Sequence, residues 1–261
     1  MAASEVLVRD DARVRWITLH RPETRNALTI GVNAAVREAL EAAPGAGARV
    51  VALTGAGGAF SSGLDLKAAA EEGLDPSTVE GRMRTHFHGL VRSLRACPLP
   101  TVAVVDGVAA GFGCDLALAC DLRLCSDRAR FGEIFVRRGL MPDGGGTWIL
   151  PRLVGLGRAL ELMLTGEMVE AAEARAIGLV NRVVPAAQLE PAATDFVHTL
   201  AAGPPLVHRA VKAAVYGALE IPFEAALEVE LRGQLRLLGS RDFLEGVAAF
   251  LEKRPPVFTG E

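Results

Sequence analysis

Apolar and polar positions change period several times along this chain, and each change marks an element. VRWITL, residues 14–19, alternates as a half-buried strand does. RPETRNAL (21–28) is a polar connection, and residues 31–42 return to helical spacing until Pro44-Gly45. RVVALTG (49–55) is an apolar run of strand length that ends in a glycine turn. GAGGAFSSG (55–63) reads as loop, and residues 76–95 as one amphipathic helix closed by Pro98 and Pro100. The next unit repeats the order: strand TVAVVDG (101–107), glycine loop AAGFG, a short apolar helix opening at Cys114, then strand LRLCS (122–126). Strand, glycine loop and helix in quick succession give the α/β class. From about residue 185 the strand signal stops, and 204–218, 222–237 and 241–253 read as three helices set off by Gly and Pro. No low-complexity linker separates the two regions, so these helices are expected to pack on the core or on another subunit.

Composition narrows the class of function. With 261 residues, half of them hydrophobic, the chain can bury a sizeable core in one large domain or a core with a small appendage. A net charge of −3 argues against nucleic acid or an anionic membrane as partner. No uncharged apolar run reaches spanning length, and MAASEVLVRDDARV carries charges where a signal peptide is apolar, so a cytoplasmic location is expected. The four cysteines form no CxxC pair, and His86 and His88 have no third ligand beside them, so neither a metal site nor a disulfide framework is expected. Lys67, Lys212 and Lys253 are the only lysines, which singles them out in a chain whose positive charge is otherwise arginine.

Two glycine loops carry the chemistry. GAGGAFSSGLDLK (55–67) follows a strand, but FSSGLDL stands where a dinucleotide-binding turn would open directly into a helix, and no Gly-Lys-Ser/Thr is present for a Walker loop. NAD-linked chemistry is disfavoured accordingly. AAGFGCDL (109–116) is built alike, and the helix that follows leaves unpaired N–H groups at its start. Two loops that each offer a backbone N–H can converge on one oxygen and stabilise an oxyanion.

AFSSGLDLK, VDGVAAGFGCDLALACDLRLCSDRARFG and GLMPDGGGTWILPRLVG, in that order, resemble the crotonase (enoyl-CoA hydratase/isomerase) superfamily, and RPETRNAL and EGVAAFLEKRPPVF fit as well. The resemblance covers nearly the whole chain. It implies a spiral of ββα turns over residues 1–195, a helical region over 196–261 used in oligomerisation, and acyl-CoA thioester substrates. Coenzyme A then enters as part of the substrate, with no separate cofactor. The resemblance places the oxyanion hole at the backbone N–H groups of Leu64 and Phe112. It implies CoA or substrate contacts at Arg25, Gly63, Asp65, Leu66 and Lys67, at Gly111, Gly113 and Phe135, and at Phe250 and Lys253. It also implies a homotrimer or a dimer of trimers.

The acids depart from the hydratase pattern. Family hydratases flank a water with two glutamates; here the first place holds Asp115 and the second Phe135, which can neither accept a proton nor hold a water. Glu133, two residues earlier, is expected to point elsewhere. Asp115 complements the start of its helix or assists catalysis. Asp143, in LMPDGGG, remains; it either caps the next helix or moves a proton. Dienoyl-CoA isomerases and ring-oxepin-forming phenylacetyl-CoA isomerases carry an active-site aspartate in this context. One carboxylate suffices to shift a double bond, and Phe135 and Trp148 beside Asp143 would raise its pKa. The expected activity is therefore an enoyl-CoA isomerase. The alternatives are a hydratase with a non-standard acid/base pair and a catalytically silent acyl-CoA-binding member.

Overall fold

The computed structural model describes residues 4–73 and 75–261; residues 1–3, part of the stretch read for a leader, and Leu74 lie outside the described residues. In chain order the elements are β1 (Val6–Asp11), β2 (Val14–Leu19), α1 (Ile30–Ala42), β3 (Val50–Gly55), α2 (Leu66–Glu71), α3 (Pro76–Arg82), α4 (His88–Ala96), β4 (Thr101–Val105), β5 (Val108–Ala110), α5 (Phe112–Ala119), β6 (Leu122–Ser126) and β7 (Arg130–Gly132). There follow α6 (Gly146–Val154), α7 (Leu156–Thr165), β8 (Val169–Glu170), α8 (Ala171–Ala176), β9 (Arg182–Val184), α9 (Leu189–Ala202), α10 (Pro205–Ala218), α11 (Phe223–Leu238) and α12 (Arg241–Glu252).

The main sheet has the order β1-β2-β3-β4-β6-β9. Only the β1–β2 hairpin is antiparallel; β2, β3, β4, β6 and β9 run parallel. A parallel sheet is covered on both faces, so its inner strands read as continuous apolar runs. Alternate residues of β3 show why. Val51 and Leu53 face one core with Val36 and Leu40 of α1 and Leu90 and Leu94 of α4. Val50 and Ala52 face a second core with Leu189, Ala193 and Val197 of α9. Residue 195 lies inside α9, so the expected division at 195/196 falls within a helix that belongs to the body.

The small sheet β5-β7-β8 stands apart from the first. β5 lies in the stretch read as a loop, because a three-residue strand is too short to show a period. The expected single helix over 76–95 is broken by a π-helical turn, Met83–Phe87, which points Phe87 at Phe112 with ring centroids 4.9 Å apart. α5 opens at Phe112, two residues before the expected start.

Lys212 fastens α10 to the body. Its ammonium donates to Asp121 (2.7 Å) and to the carbonyls of Leu99 (3.0 Å) and Leu94 (3.4 Å). Asp121 also accepts from the Thr101 backbone N–H at 2.7 Å and from the Tyr216 hydroxyl at 2.5 Å. α11 and α12 leave large apolar side chains uncovered, Phe223 (73% exposed) and Phe250 (82%) among them. No helix among the described residues is long and apolar enough to cross a membrane.

Candidate active site

The two glycine loops touch. Ser61 N–H donates to Val108 O at 2.9 Å, and Ala110 N–H donates to Ser61 O at 3.0 Å. On the other flank, Leu28 N–H donates to Gly63 O at 2.8 Å and Asp65 N–H to Leu28 O at 3.0 Å. Gly63 has φ +91°, and a Cβ there would stand 2.6 Å from Ala110 O, so only glycine permits this approach. Buried Asn26 braces the same loop. Its side-chain amide donates to Ala56 O (2.8 Å) and Ala59 O (2.7 Å), and its carbonyl accepts from the Ser61 hydroxyl (2.8 Å). RPETRNAL therefore supports the loop from below, while Arg25 itself is exposed, with a left-handed backbone.

The N–H groups of Leu64 and Phe112 donate to nothing among the described residues. They lie on adjoining loops, since the Cβ position of Gly63 is 3.4 Å from Phe112 N. Phe112 also opens the buried helix α5, whose N-terminus favours negative charge. This is the arrangement an oxyanion requires.

Asp115 lies one turn further along α5, wholly buried. Its Oδ2 accepts from Gly144 N–H at 2.8 Å. The three glycines after Asp143 explain themselves here. A Cβ on Gly144 would stand 2.5 Å from Asp115 Cβ, and one on Gly146 would stand 2.3 Å from Asp115 Oδ1. The backbone of 144–146 is laid directly on the carboxyl. Burial pushes the Asp115 pKa up to about 7, the Gly144 N–H opposes it, and the Asp143 charge adds to it.

Asp143 is not a helix cap. α6 starts at Gly146 with Gly145 as its N-cap, and no side chain caps it. Burial raises Asp143 to about 6, against a weaker pull from its own backbone N–H. Its Oδ1 is buried without a protein partner, as is Oδ1 of Asp115. Phe135 closes the site from the place where hydratases carry their second glutamate. It is 8% exposed, and its Cζ lies 3.9 Å from where a Cβ on Gly111 would be. Trp148 is engaged differently from the expectation: its ring carries the guanidinium groups of Arg152 (3.8 Å) and Arg95 (4.5 Å).

Glu133 is the acid that the sequence reading set aside. It turns inward, 2% exposed, beside Asp115 and the Cys114 thiol. Burial first, then the Asp115 charge, hold its pKa well above the ordinary carboxylate range. The sequence offered one signal: Glu133 breaks an otherwise apolar stretch, as Asp115 breaks CDLALAC.

Other expected contacts divide. Lys67 and Leu66 are exposed at the start of α2, free to meet a ligand. Asp65 is not free: it caps α2 through Ala68 N–H (3.1 Å) and pairs with Arg21 (3.0 Å). Gly113 serves packing, since a Cβ there would stand 2.7 Å from Ser61. Phe250 and Lys253 lie on α12 and its left-handed C-cap, exposed to solvent in the single chain.

With this geometry in place, comparison with known proteins is direct. The model of the family described as enoyl-CoA hydratase/isomerase matches residues 9–261. A Rhodobacter capsulatus protein described as a probable enoyl-CoA hydratase is 46% identical over 94% of this chain and 93% of its own. The 1,2-epoxyphenylacetyl-CoA isomerase of Escherichia coli is 37% identical over 95% of each chain. The crystal structure of an enoyl-CoA hydratase from Bacillus anthracis superposes with a TM-score of 0.93 at 34% identity, covering 99% of this chain and 100% of that one. Hydratase names predominate among the relatives, and the isomerase is among them. The chain thus belongs to the enoyl-CoA hydratase/isomerase family of the crotonase superfamily, and its mixed α/β fold with C-terminal helices is theirs.

Proposed function

We propose that the protein is an acyl-CoA isomerase that shifts a double bond, or rearranges a ring, through a thioester enolate. The observation that carries this reading is the Asp143 carboxyl, which caps no helix, is raised to about 6 and adjoins Asp115. A base of that pKa is half ionised near neutrality, where taking up a proton and returning it are both favourable. The thioester oxygen sits between the Leu64 and Phe112 N–H groups. Asp143 removes a proton from the α-carbon, the C–H electrons move onto that oxygen, and the same proton returns at another carbon as the enolate collapses. No cofactor enters this sequence beyond the coenzyme A of the substrate. Lys67, Arg25 and, from α12, Lys253 supply positive charge for the CoA phosphates.

A hydratase is the second reading, favoured by the names of most relatives. It needs two carboxyls on either side of a water, and Phe135 closes that second place in this chain. The exposed apolar faces of α11 and α12 support assembly as a trimer or a dimer of trimers. The deciding experiment offers 2-enoyl, 3-enoyl and ring-epoxide CoA thioesters and identifies the products. An isomerase converts a 3-enoyl or epoxide substrate without adding water. Fast hydration of a 2-enoyl thioester with no isomerisation overturns the proposal. α-Carbon deuterium exchange separates either enzyme from a silent binding member, which gives none.

A further inference from the structure

Glu133 has no place in the isomerisation described above, yet it is the most costly residue to leave where it is. A buried carboxyl without hydrogen-bond partners is destabilising, and both Glu133 oxygens lack one among the described residues. The group stands against the acid site. The point where a Cβ on Gly146 would be lies 2.3 Å from Asp115 Oδ1 and 3.3 Å from Glu133 Oε1. Between them is nothing bulkier than the α-hydrogen side of a glycine. Behind Glu133 a cavity of about 10 Å³ is walled by Cys114, Phe131, Leu150, Leu162 and Val169. That apolar backing keeps the carboxyl in its neutral form, so it holds a proton at the pH where Asp143 works.

We infer that Glu133 is a positioning and proton-holding residue: together with Asp115 it forms a store of protons behind Asp143, so that the proton taken from the substrate mixes with this store before one is returned. The inference rests on Asp143 being the shuttle. The steps balance. Asp143 receives the α-proton and becomes neutral. It passes a proton to the ionised form of Asp115, whose own site is linked to the neutral Glu133. A proton then returns through Asp143 to the receiving carbon, and the cluster ends with as many protons as it began. Glu133 acts only through Asp115 and does not touch the substrate. Asp115 and Asp143 can pass a proton because the Asp115 carboxyl is bonded to the Gly144 N–H, one residue from Asp143, and feels its charge.

The test counts where the returned proton comes from. Enzyme equilibrated in D2O is mixed, in excess, with protiated 3-enoyl-CoA for a single turnover, and deuterium at the receiving carbon is measured by mass spectrometry. Wild type is expected to deliver deuterium in a large fraction of turnovers. Glu133→Gln, with one acid removed from the store, is expected to lower that fraction at least about twofold, and Asp115→Asn to lower it as well. The fraction is a partition per turnover, so partial misfolding of a variant lowers the yield of product without moving it. Glu133→Asp, which restores an acid, should recover part of the loss. Equal deuterium content in wild type and Glu133→Gln overturns the inference, because solvent would then reach Asp143 directly. Absence of any isomerisation or α-exchange in wild type sinks the isomerase reading instead, so the two failures are distinguishable.

Discussion

Gly146 and Asp115 are closer than any side chain at position 146 would allow: a Cβ there would lie 2.3 Å from the Asp115 Oδ1, inside contact distance. The loop after Asp143 is pressed onto the buried acid, and the fit between them sets the site. Gly146→Ala is therefore expected to push the 144–146 backbone off Asp115. Overpacking of this kind costs about 1–3 kcal/mol, read by chemical denaturation. Turnover should fall by more than the loss of folded protein explains. An alanine variant with native stability and activity would mean that the loop has room to move.

Asp143→Asn is expected to keep the fold, since no cap or ion pair is lost. Turnover should drop by ~10²–10⁴-fold, the usual worth of a positioned acid–base group. Substrate affinity should change little. Asp143→Ala should resemble it in stability, because the side chain caps nothing. Full activity in Asp143→Asn would move the chemistry to Asp115.

Stability should depend on pH in a way that names Asp115. Its pKa rises from an ordinary 3.8 to about 7 on folding, so the folded chain holds the proton more tightly than the unfolded one. The protein is then most favoured below the unfolded value, and this contribution is lost as pH rises from about 4 through about 7. Asp115→Asn removes the group and should flatten the curve over that window. Urea denaturation of both forms at several pH values gives the difference directly. A difference independent of pH would show that Asp115 is not perturbed.

The Lys212–Asp121 pair should matter for stability more than for chemistry. Both groups are largely buried, and Asp121 is also bonded to Thr101 and Tyr216. Lys212→Ala leaves Asp121 charged and unpaired, a change worth about 3–5 kcal/mol for a buried pair. Hydrogen exchange should quicken in α10 first. Unchanged protection there would show that apolar contacts alone hold the helix.

The C-terminal apolar faces predict assembly. Burying them removes apolar surface from water at about 25 cal/mol per Å². Light scattering should give a multiple of 27.5 kDa, consistent with a trimer or hexamer, and Phe223→Asp should shift it downward. A wild-type monomer at micromolar concentration would refute assembly through this face.

What the sequence determined by itself was everything that local pattern and motif can carry. Period and turn residues located β2, β3, β4, β6, α1 and the last three helices, because apolar runs of strand length and helical spacing persist in them. The glycine loops and LMPDGGG announced an oxyanion site and Asp143, because backbone chemistry constrains residue type at each position. The tertiary structure decided what depends on contacts between distant segments. β5, β7 and β8 are two or three residues each and exist only through pairing, so no period reveals them. Asn26 and Asp65 read as part of a ligand-binding stretch, but their hydrogen bonds to Ala56, Ala59, Ala68 and Arg21 make them supports. Glu133 is two residues from Phe135 and its direction cannot be read from spacing in a segment that leaves β7 and enters a 3-10 turn. Only folding brings it behind Asp115, where burial, not sequence neighbours, fixes its charge. The same holds for the three glycines: the sequence shows that side chains are absent, and the fold shows that a carboxyl fills the space they leave.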